Sequence, residues 1–251
     1  MTGRFDRSIV NSTAHRPWPL PDSPWIMTQS WHDLLFAHWP IAPGALRAVV
    51  PAQLPLDLFD GNAWIGVVPF RMTNVAPRGA PWWPLASAFA ELNVRTYVTL
   101  GDKPGVYFFS LDAGSRVAVA TARALFHLPY YNASMPITYD GEAVRYVSRR
   151  QSAGALPATL EIRYQPTGPA KPPARGSLEY FLTERYCLYT LDRSARVRRL
   201  EIHHPAWSLQ PADADIESNT MASAAGLPAL RGSPLLHFAK RQDVVTWWMS
   251  R

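Results

Sequence analysis

The sequence predicts an α+β fold, rich in β-strand, with a curved or closed antiparallel sheet and a few short helices. Three observations carry that expectation. Runs of alternating, β-branched or aromatic residues recur along the chain and are separated by turn residues. Helix signals are few and brief. No internal repeat and no convincing linker divides the 251 residues, so strands and helices share one unit.

Taken in order, residues 1–27 hold Pro17, Pro19, Pro21 and Pro24 with Trp18 and Trp25, an extended lead-in without its own core whose tryptophans could dock on the rest. Residues 28–251 read as a single domain. Thr28–Trp39 is aromatic and apolar, a buried strand. Pro43–Val50 is a short helix with proline in its first turn. Leu54–Phe59 is expected to be an edge strand, because Pro55 cannot donate to a central ladder. Asp60-Gly61 is a hairpin turn leading into a strand over Ala63–Met72. A Pro/Trp-rich loop, 77–84, precedes the strand Phe89–Val98.

On that strand Leu92, Val94, Thr96 and Val98 point one way and Glu91, Asn93, Arg95 and Tyr97 the other. The turn 101–105 returns the chain through Val106–Leu111. Ser115 caps an Ala-rich helix to Phe126, with Val117, Thr121, Ala124 and Leu128 at helical spacing. Strands are expected at Val144–Arg150 and Leu160–Tyr164, and a helix over Ser177–Glu184. A hairpin joins Tyr186–Leu191 to Val197–His203 around Asp192-Arg193-Ser194. A helix over Ile216–Ala225 stops at Gly226. Two terminal strands follow, Leu235–Phe238 and Val244–Met249.

Composition narrows the function. With 47% hydrophobic and 12% aromatic residues, the chain can bury a sizeable core. No apolar run reaches the roughly 18 residues of a spanning helix, and Met1–Asn11 lacks the apolar centre of a signal peptide. A cytoplasmic protein without membrane contact is expected. The net charge of +6 is almost all arginine, lysine occurring only at Lys103, Lys171 and Lys240. The densest arginine groups (Arg145, Arg149, Arg150; Arg193, Arg196, Arg198, Arg199) are mixed with strand residues. They read as solvated faces, and no nucleic-acid partner is expected. A homo-oligomer is left open.

Motifs exclude several chemistries. Nucleophile-elbow, dinucleotide and phosphate-loop signatures do not occur. Cys187, the single cysteine, excludes an intrachain disulfide and a thiolate cluster, and its apolar setting reads as a buried structural thiol. His203 and His204 are adjacent on a strand and face opposite sides, so they cannot easily share one ion. Neither a metal nor a cofactor is expected.

Four segments carry a resemblance: residues 89–98 (FAELNVRTYV), 105–113 (GVYFFSLDA), 181–186 (FLTERY) and 202–207 (IHHPAW). They resemble the uncharacterised YqjF-like family, DUF2071, from about Thr28 onward. More distantly, the layout is similar to acetoacetate decarboxylase. The resemblance implies that family's β-cone or barrel with an interior cavity, with Glu91 at the position of its strand glutamate. Arg123 and Pro129 match its helix-to-loop segment, while its two lysines become Tyr130 and Tyr131 here. A phenol cannot form an imine, so the resemblance implies the fold and argues against Schiff-base chemistry.

The candidate site follows. A closed sheet places alternate residues inside, and if these are Glu91, Asn93 and Arg95 they could line a polar pocket. Arg95 offers a planar fork for a carboxylate. Glu91 is a candidate acid or base if burial raises its pKa, and Tyr130 a donor to a carbonyl or oxyanion. Arg123 and Tyr131 are further ligand-binding candidates, and Trp31, Trp82 and Trp83 could wall the cavity. The competing reading makes Glu91 and Arg95 a structural ion pair, with Arg123 paired to surface acids. Glu184 and Arg185 rank second as pocket residues. Three functions stay open: a binder of a small, anionic or carbonyl-bearing ligand; a non-Schiff-base lyase, isomerase or hydrolase; and a structural protein with a vestigial cavity.

Overall fold

The computed structural model describes residues 3–80 and 88–250. Twelve strands form one sheet: β1 (Met27–Ile41), β2 (Ala63–Pro77), β3 (Ala88–Leu100), β4 (Lys103–Ala113), β5 (Tyr130–Ser134), β6 (Ile137–Asp140), β7 (Ala143–Arg150), β8 (Thr159–Pro166), β9 (Cys187–Leu191), β10 (Val197–His203), β11 (Gln210–Asn219) and β12 (Leu235–Thr246). Four short helices accompany it: α1 (Pro43–Arg47), α2 (Arg116–Phe126), α3 (Leu178–Thr183) and α4 (Met221–Ala224).

The sheet curves and closes twice. β1 to β4 form an antiparallel meander, and β12 pairs with β1. β4 then forks. Its Leu111–Ala113 end pairs in parallel with β5, and its Val106–Tyr107 stretch pairs in parallel with β9. β12 forks too, taking β11 at Phe238 and β10 at Thr246. One circuit therefore runs β1-β2-β3-β4-β5-β7-β8-β11-β12, and a second runs β1-β2-β3-β4-β9-β10-β12. The two share the β12-β1-β2-β3-β4 wall.

The wall's two faces have different fates. Leu92, Val94 and Val98 join Tyr146, Leu160, Ile162 and Phe238 in a packed core. This is the apolar face read from the sequence. Tyr146 and Tyr164 are fully buried, and their hydroxyls donate to the carbonyls of Glu91 (2.8 Å) and Asp33 (2.7 Å). The phenols are thus satisfied while the rings fill the core.

Local chemistry sets the ends of elements. Asp60 (φ 48°) and Gly61 (φ 76°) form the left-handed turn between Phe59 and Asn62 that starts β2. The Ser115 side chain accepts from the Ala118 amide, and His127 closes α2 in the left-handed region. Ser177 caps α3 through the Tyr180 amide.

Three expectations change. Leu54–Phe59 is not a strand; only Asp57 N to Tyr97 O and Thr99 N to Pro55 O, both 3.0 Å, tie it to β3. Pro51 and Pro55 lack the amides a ladder needs. Ile216–Asn219 belongs to β11, and the helix is only Met221–Ala224. Ala212, Ala214 and Ile216 pack on the core at period 2 while acids alternate outward. Small alanines disguised that alternation. The two terminal strands are one, β12, whose polar middle is held by ion pairs: Lys240 to Asp33 at 2.8 Å and Arg241 to Asp243 at 3.0 Å. β5 and β6 were not expected as strands.

The lead-in docks. Ile9 packs on Val245 and Trp247. Trp18 Nε1 donates to Glu201 at 2.9 Å, and the Arg16 guanidinium lies over Tyr186 and reaches Glu201 at 3.3 Å. Of the arginine groups, Arg145 and Arg149 are exposed and pair with Glu161, and Arg196 and Arg198 pair with Asp192, whereas Arg150 is buried against Asp112. Among the described residues no helix is long and apolar enough to cross a membrane.

Candidate functional site

The second circuit is hollow. A cavity of about 260 Å³ lies inside it, at the small end of ligand sites, which run from roughly 300 Å³ upward. β1, β2, β3 and β4 form one side, and α2, Tyr130, β9 and β10 cover the rest. Its surface is mainly apolar and aromatic. Trp31 lies 5.6 Å from Phe70, and Phe36 meets Trp207 edge-on at 4.9 Å. Trp207 is pinned by its indole N–H to the Thr183 carbonyl at 2.8 Å.

β3 supplies the polar side chains. Glu91, Asn93 and Arg95 all line the cavity, as alternation on one strand face requires. A bulge at Phe109 of the neighbouring β4 falls beside the last of them.

Glu91 is 4% exposed and accepts a 2.8 Å hydrogen bond from the Tyr130 hydroxyl. Burial drives its carboxyl up to about 7, against the lowering effect of Tyr130, and nearby Asp112 adds to the rise. Burial, then the neighbouring Glu91 charge, holds the Tyr130 phenol well above its ordinary range, so it stays a proton donor. Tyr130 reaches this place because the chain leaves α2 through Pro129, whose carbonyl accepts from Leu111 N at 3.0 Å, and enters β5 beside β4.

Arg95 lies at the other end of the row. Its guanidinium stands 5.3 Å from the Phe36 ring centre and 5.8 Å from that of Tyr97. Among the described residues it has no carboxylate in reach. Its guanidinium reaches the Leu182 carbonyl at 3.4 Å and lies against the Tyr97 phenol, and its Nε is buried without a partner. The ion pair between Glu91 and Arg95 is therefore absent among the described residues.

His38 sits beside Arg95, bonded through Nε2 to the Tyr97 hydroxyl at 2.6 Å. Burial first, then the Arg95 charge, keeps the imidazole neutral at ordinary pH. Gly66 makes this crowding feasible: a Cβ there would lie 3.1 Å from the His38 ring and 3.3 Å from Arg95 Cγ. Asn93, 5% exposed, leaves its Oδ1 without a partner between the two ends.

Arg123 and Tyr131 do not line the cavity. α2 turns Val117, Ala118, Thr121 and Ala122 toward it and leaves Arg123 exposed. Tyr131 alternates away from Tyr130 and lies under Arg150, 3.9 Å from its guanidinium. Arg150 in turn grips Asp112 through two 2.7 Å bonds. Trp31 is part of the wall, whereas Trp82 and Trp83 fall outside the described residues.

Of the second-ranked pair, Arg185 lines the cavity but is committed to Asp57 at 2.5 Å. Glu184 turns to Tyr186 and the Trp207 amide. Cys187 borders the cavity as a buried thiol, raised by burial to about 11. His203 and His204 are buried structural histidines bonded to the Ile9 and Pro205 carbonyls. Phe36, on β1, and Trp207, between β10 and β11, had no separate signal in the sequence, since aromatic residues read equally well as core.

The fold is that of proteins built like acetoacetate decarboxylase. An acetoacetate decarboxylase from Legionella pneumophila subsp. pneumophila str. Philadelphia 1 superposes with a TM-score of 0.57 at 12% identity, covering 100% of this chain and 97% of that one. The enduracididine biosynthesis enzyme MppR complexed with pyruvate gives 0.59 at 12% identity, over 93% and 92%. At such identity the likeness concerns fold alone. By sequence the chain belongs to the DUF2071 family, "Uncharacterized conserved protein (COG2071)", which matches residues 28–243. It is 46% identical over 247 residues to the uncharacterized protein YqjF of Bacillus subtilis (strain 168), 98% of each chain being covered.

Proposed function

We propose that this chain binds a small organic molecule, anionic or carbonyl-bearing, inside the hollow circuit, and does so without a Schiff-base lysine. One observation carries this reading: Arg95 faces an apolar cavity with no carboxylate partner among the described residues. A charge in such a place is costly unless a counter-ion arrives. The planar fork of arginine suits a ligand carboxylate. The pyruvate held by MppR, a fold neighbour, is of the same chemical class.

The lysines support the second half. Lys103 is held by Glu201 at 3.0 Å and Lys240 by Asp33 at 2.8 Å, and neither they nor Lys171 line the cavity. Thermal unfolding in the presence of keto-acids and hydroxy-acids tests the reading. A ligand at a hundred times its Kd adds about 2.7 kcal/mol to stability. A panel of such acids that leaves the melting temperature unmoved would overturn it.

A second reading makes the same site an enzyme, a lyase, isomerase or hydrolase, with Glu91 as acid or base and Tyr130 as donor. The carboxyl near 7 favours it, because a group poised near the working pH exchanges protons most effectively. Turnover of any ligand found in the panel, lost in Glu91→Gln, is the expected result. A Glu91→Gln protein with full turnover rules this reading out.

A further inference from the structure

The polar groups of the cavity are not gathered at one point. They are strung along β3 on one face: the Glu91–Tyr130 pair, then Asn93, then Arg95. Glu91 and Arg95 are four residues apart on β3, roughly 13 Å at about 3.4 Å per residue, and the bulged residue opposite them, Phe109, belongs to β4. Side chains stand roughly perpendicular to a sheet, so their heads keep much of that separation. Beside this row the cavity wall is aromatic: Phe70, the register partner of Glu91 on β2, with Trp31, Phe36 and Trp207. The middle offers one unpartnered acceptor, Asn93 Oδ1.

This spacing selects on length. Hydrogen bonds of about 2.8 Å at each end leave roughly 8 Å for the ligand itself. An extended chain advances about 1.3 Å per bond, given C–C bonds near 1.5 Å. Roughly six bonds are then needed between the two polar ends. Acids of the size of pyruvate or acetoacetate can occupy one pole but cannot join both. An apolar body is also required, because the space between the poles offers ring faces and few hydrogen-bond groups.

Building on the carboxylate reading above, we infer that the ligand is a two-ended, medium-length acid. Its carboxylate sits on Arg95, an apolar chain or ring of about five carbons lies across the aromatic wall, which sets the two oxygen-bearing carbons about six bonds apart, and a carbonyl or hydroxyl oxygen meets Glu91–Tyr130. Gly66 belongs to the same design, since it leaves room for the Arg95 stem beside His38.

The test is a length series measured by calorimetry on the full chain at pH 6: pyruvate, 4-oxopentanoate, 6-oxoheptanoate and 7-oxooctanoate, with octanoate and 2-octanone as single-ended controls. Affinity is expected to rise at least tenfold between the five-carbon and the eight-carbon keto-acid. Octanoate and 2-octanone should each bind at least tenfold more weakly than 7-oxooctanoate. In Arg95→Gln, 7-oxooctanoate should bind no better than 2-octanone; in Glu91→Leu, which removes the hydrogen-bonding head that Gln would keep, no better than octanoate. Arg95→Lys, which keeps the charge but loses the fork, serves if Arg95→Gln fails to fold, and should weaken all four acids.

A flat series, or one led by pyruvate, overturns the two-ended ligand while leaving a carboxylate site in place. Binding of octanoate unchanged by both Arg95 variants overturns both readings. So does a series in which no compound binds.

Discussion

One wall of five strands serves two interiors that could hardly differ more. On one side Leu92 and Val94 are packed against Tyr146, Ile162 and Phe238, with the buried phenols bonded to backbone carbonyls. On the other, one residue away along the same strand, Glu91, Asn93 and Arg95 border a cavity of about 260 Å³. The period-2 alternation of a β-strand makes this possible. Even-numbered Leu92 and Val94 pack the core, while odd-numbered Glu91, Asn93 and Arg95 face the cavity. The two meet at Tyr146, whose hydroxyl, from the packed side, lies 2.8 Å from the Glu91 carbonyl and 3.3 Å from the Phe70 carbonyl and so ties down the backbone of two cavity residues.

If the two interiors differ as described, equal truncations should cost unequal amounts. Leu92→Ala on the packed face should lose about 3–5 kcal/mol by chemical denaturation. Leu111→Ala, at the cavity wall, should lose about 2 kcal/mol, because its neighbours already border empty space. Equal losses would mean that the second circuit is as well packed as the first.

The next effect concerns pH. Glu91 has a folded value near 7 against 4.5 for the free side chain. Its carboxyl therefore holds a proton in the folded state that the unfolded chain gives up. Stability is present in full below pH 4.5 and is drained as pH rises from there to about 7. At about 1.4 kcal/mol per unit the drain is about 3 kcal/mol. Glu91→Gln should remove this slope and be the more stable protein at pH 8. Parallel stability profiles for the two proteins between pH 4.5 and 7.5 would contradict the burial of Glu91.

Gly66→Ala should come third. The new methyl would press on the His38 ring and on Arg95, at a cost of about 1–3 kcal/mol for overpacking. It should also weaken acid binding, because Arg95 must shift; unchanged affinity would show that Arg95 is not the carboxylate anchor. The smallest effect belongs to Arg123→Ala. This exposed side chain sits over Tyr131 outside the cavity, so a change within about 0.5 kcal/mol and undisturbed ligand binding are expected.

The β-rich class, the polar row on β3 and the caps of α2 and α3 were legible because each depends on short-range pattern. Ser115 and Ser177 are three residues from the amides they satisfy. The alternation of residues 91–98 needs no knowledge of the partner strands. The double closure was not legible. It rests on β4 and β12 each taking two partners on one edge, and such pairings over long sequence separations leave no local mark. The same limit explains Arg123 and Tyr131. Their neighbours Thr121, Ala122 and Tyr130 do reach the cavity, and a single step of helix phase or strand register decided the outcome. Phe36 and Trp207 were hidden for another reason: a ring that walls a cavity and a ring that fills a core have the same sequence signature.

The central claim, that the hollow circuit is a carboxylate site anchored on Arg95, is tested most directly by a crystal structure with 7-oxooctanoate. The expected density lies inside the β1-β2-β3-β4-β9-β10-β12 circuit, with both carboxylate oxygens within hydrogen-bond distance of Arg95 and the keto oxygen beside Glu91 and Tyr130. Ligand bound only on the outer surface, with Arg95 satisfied by a protein carboxylate, would contradict it.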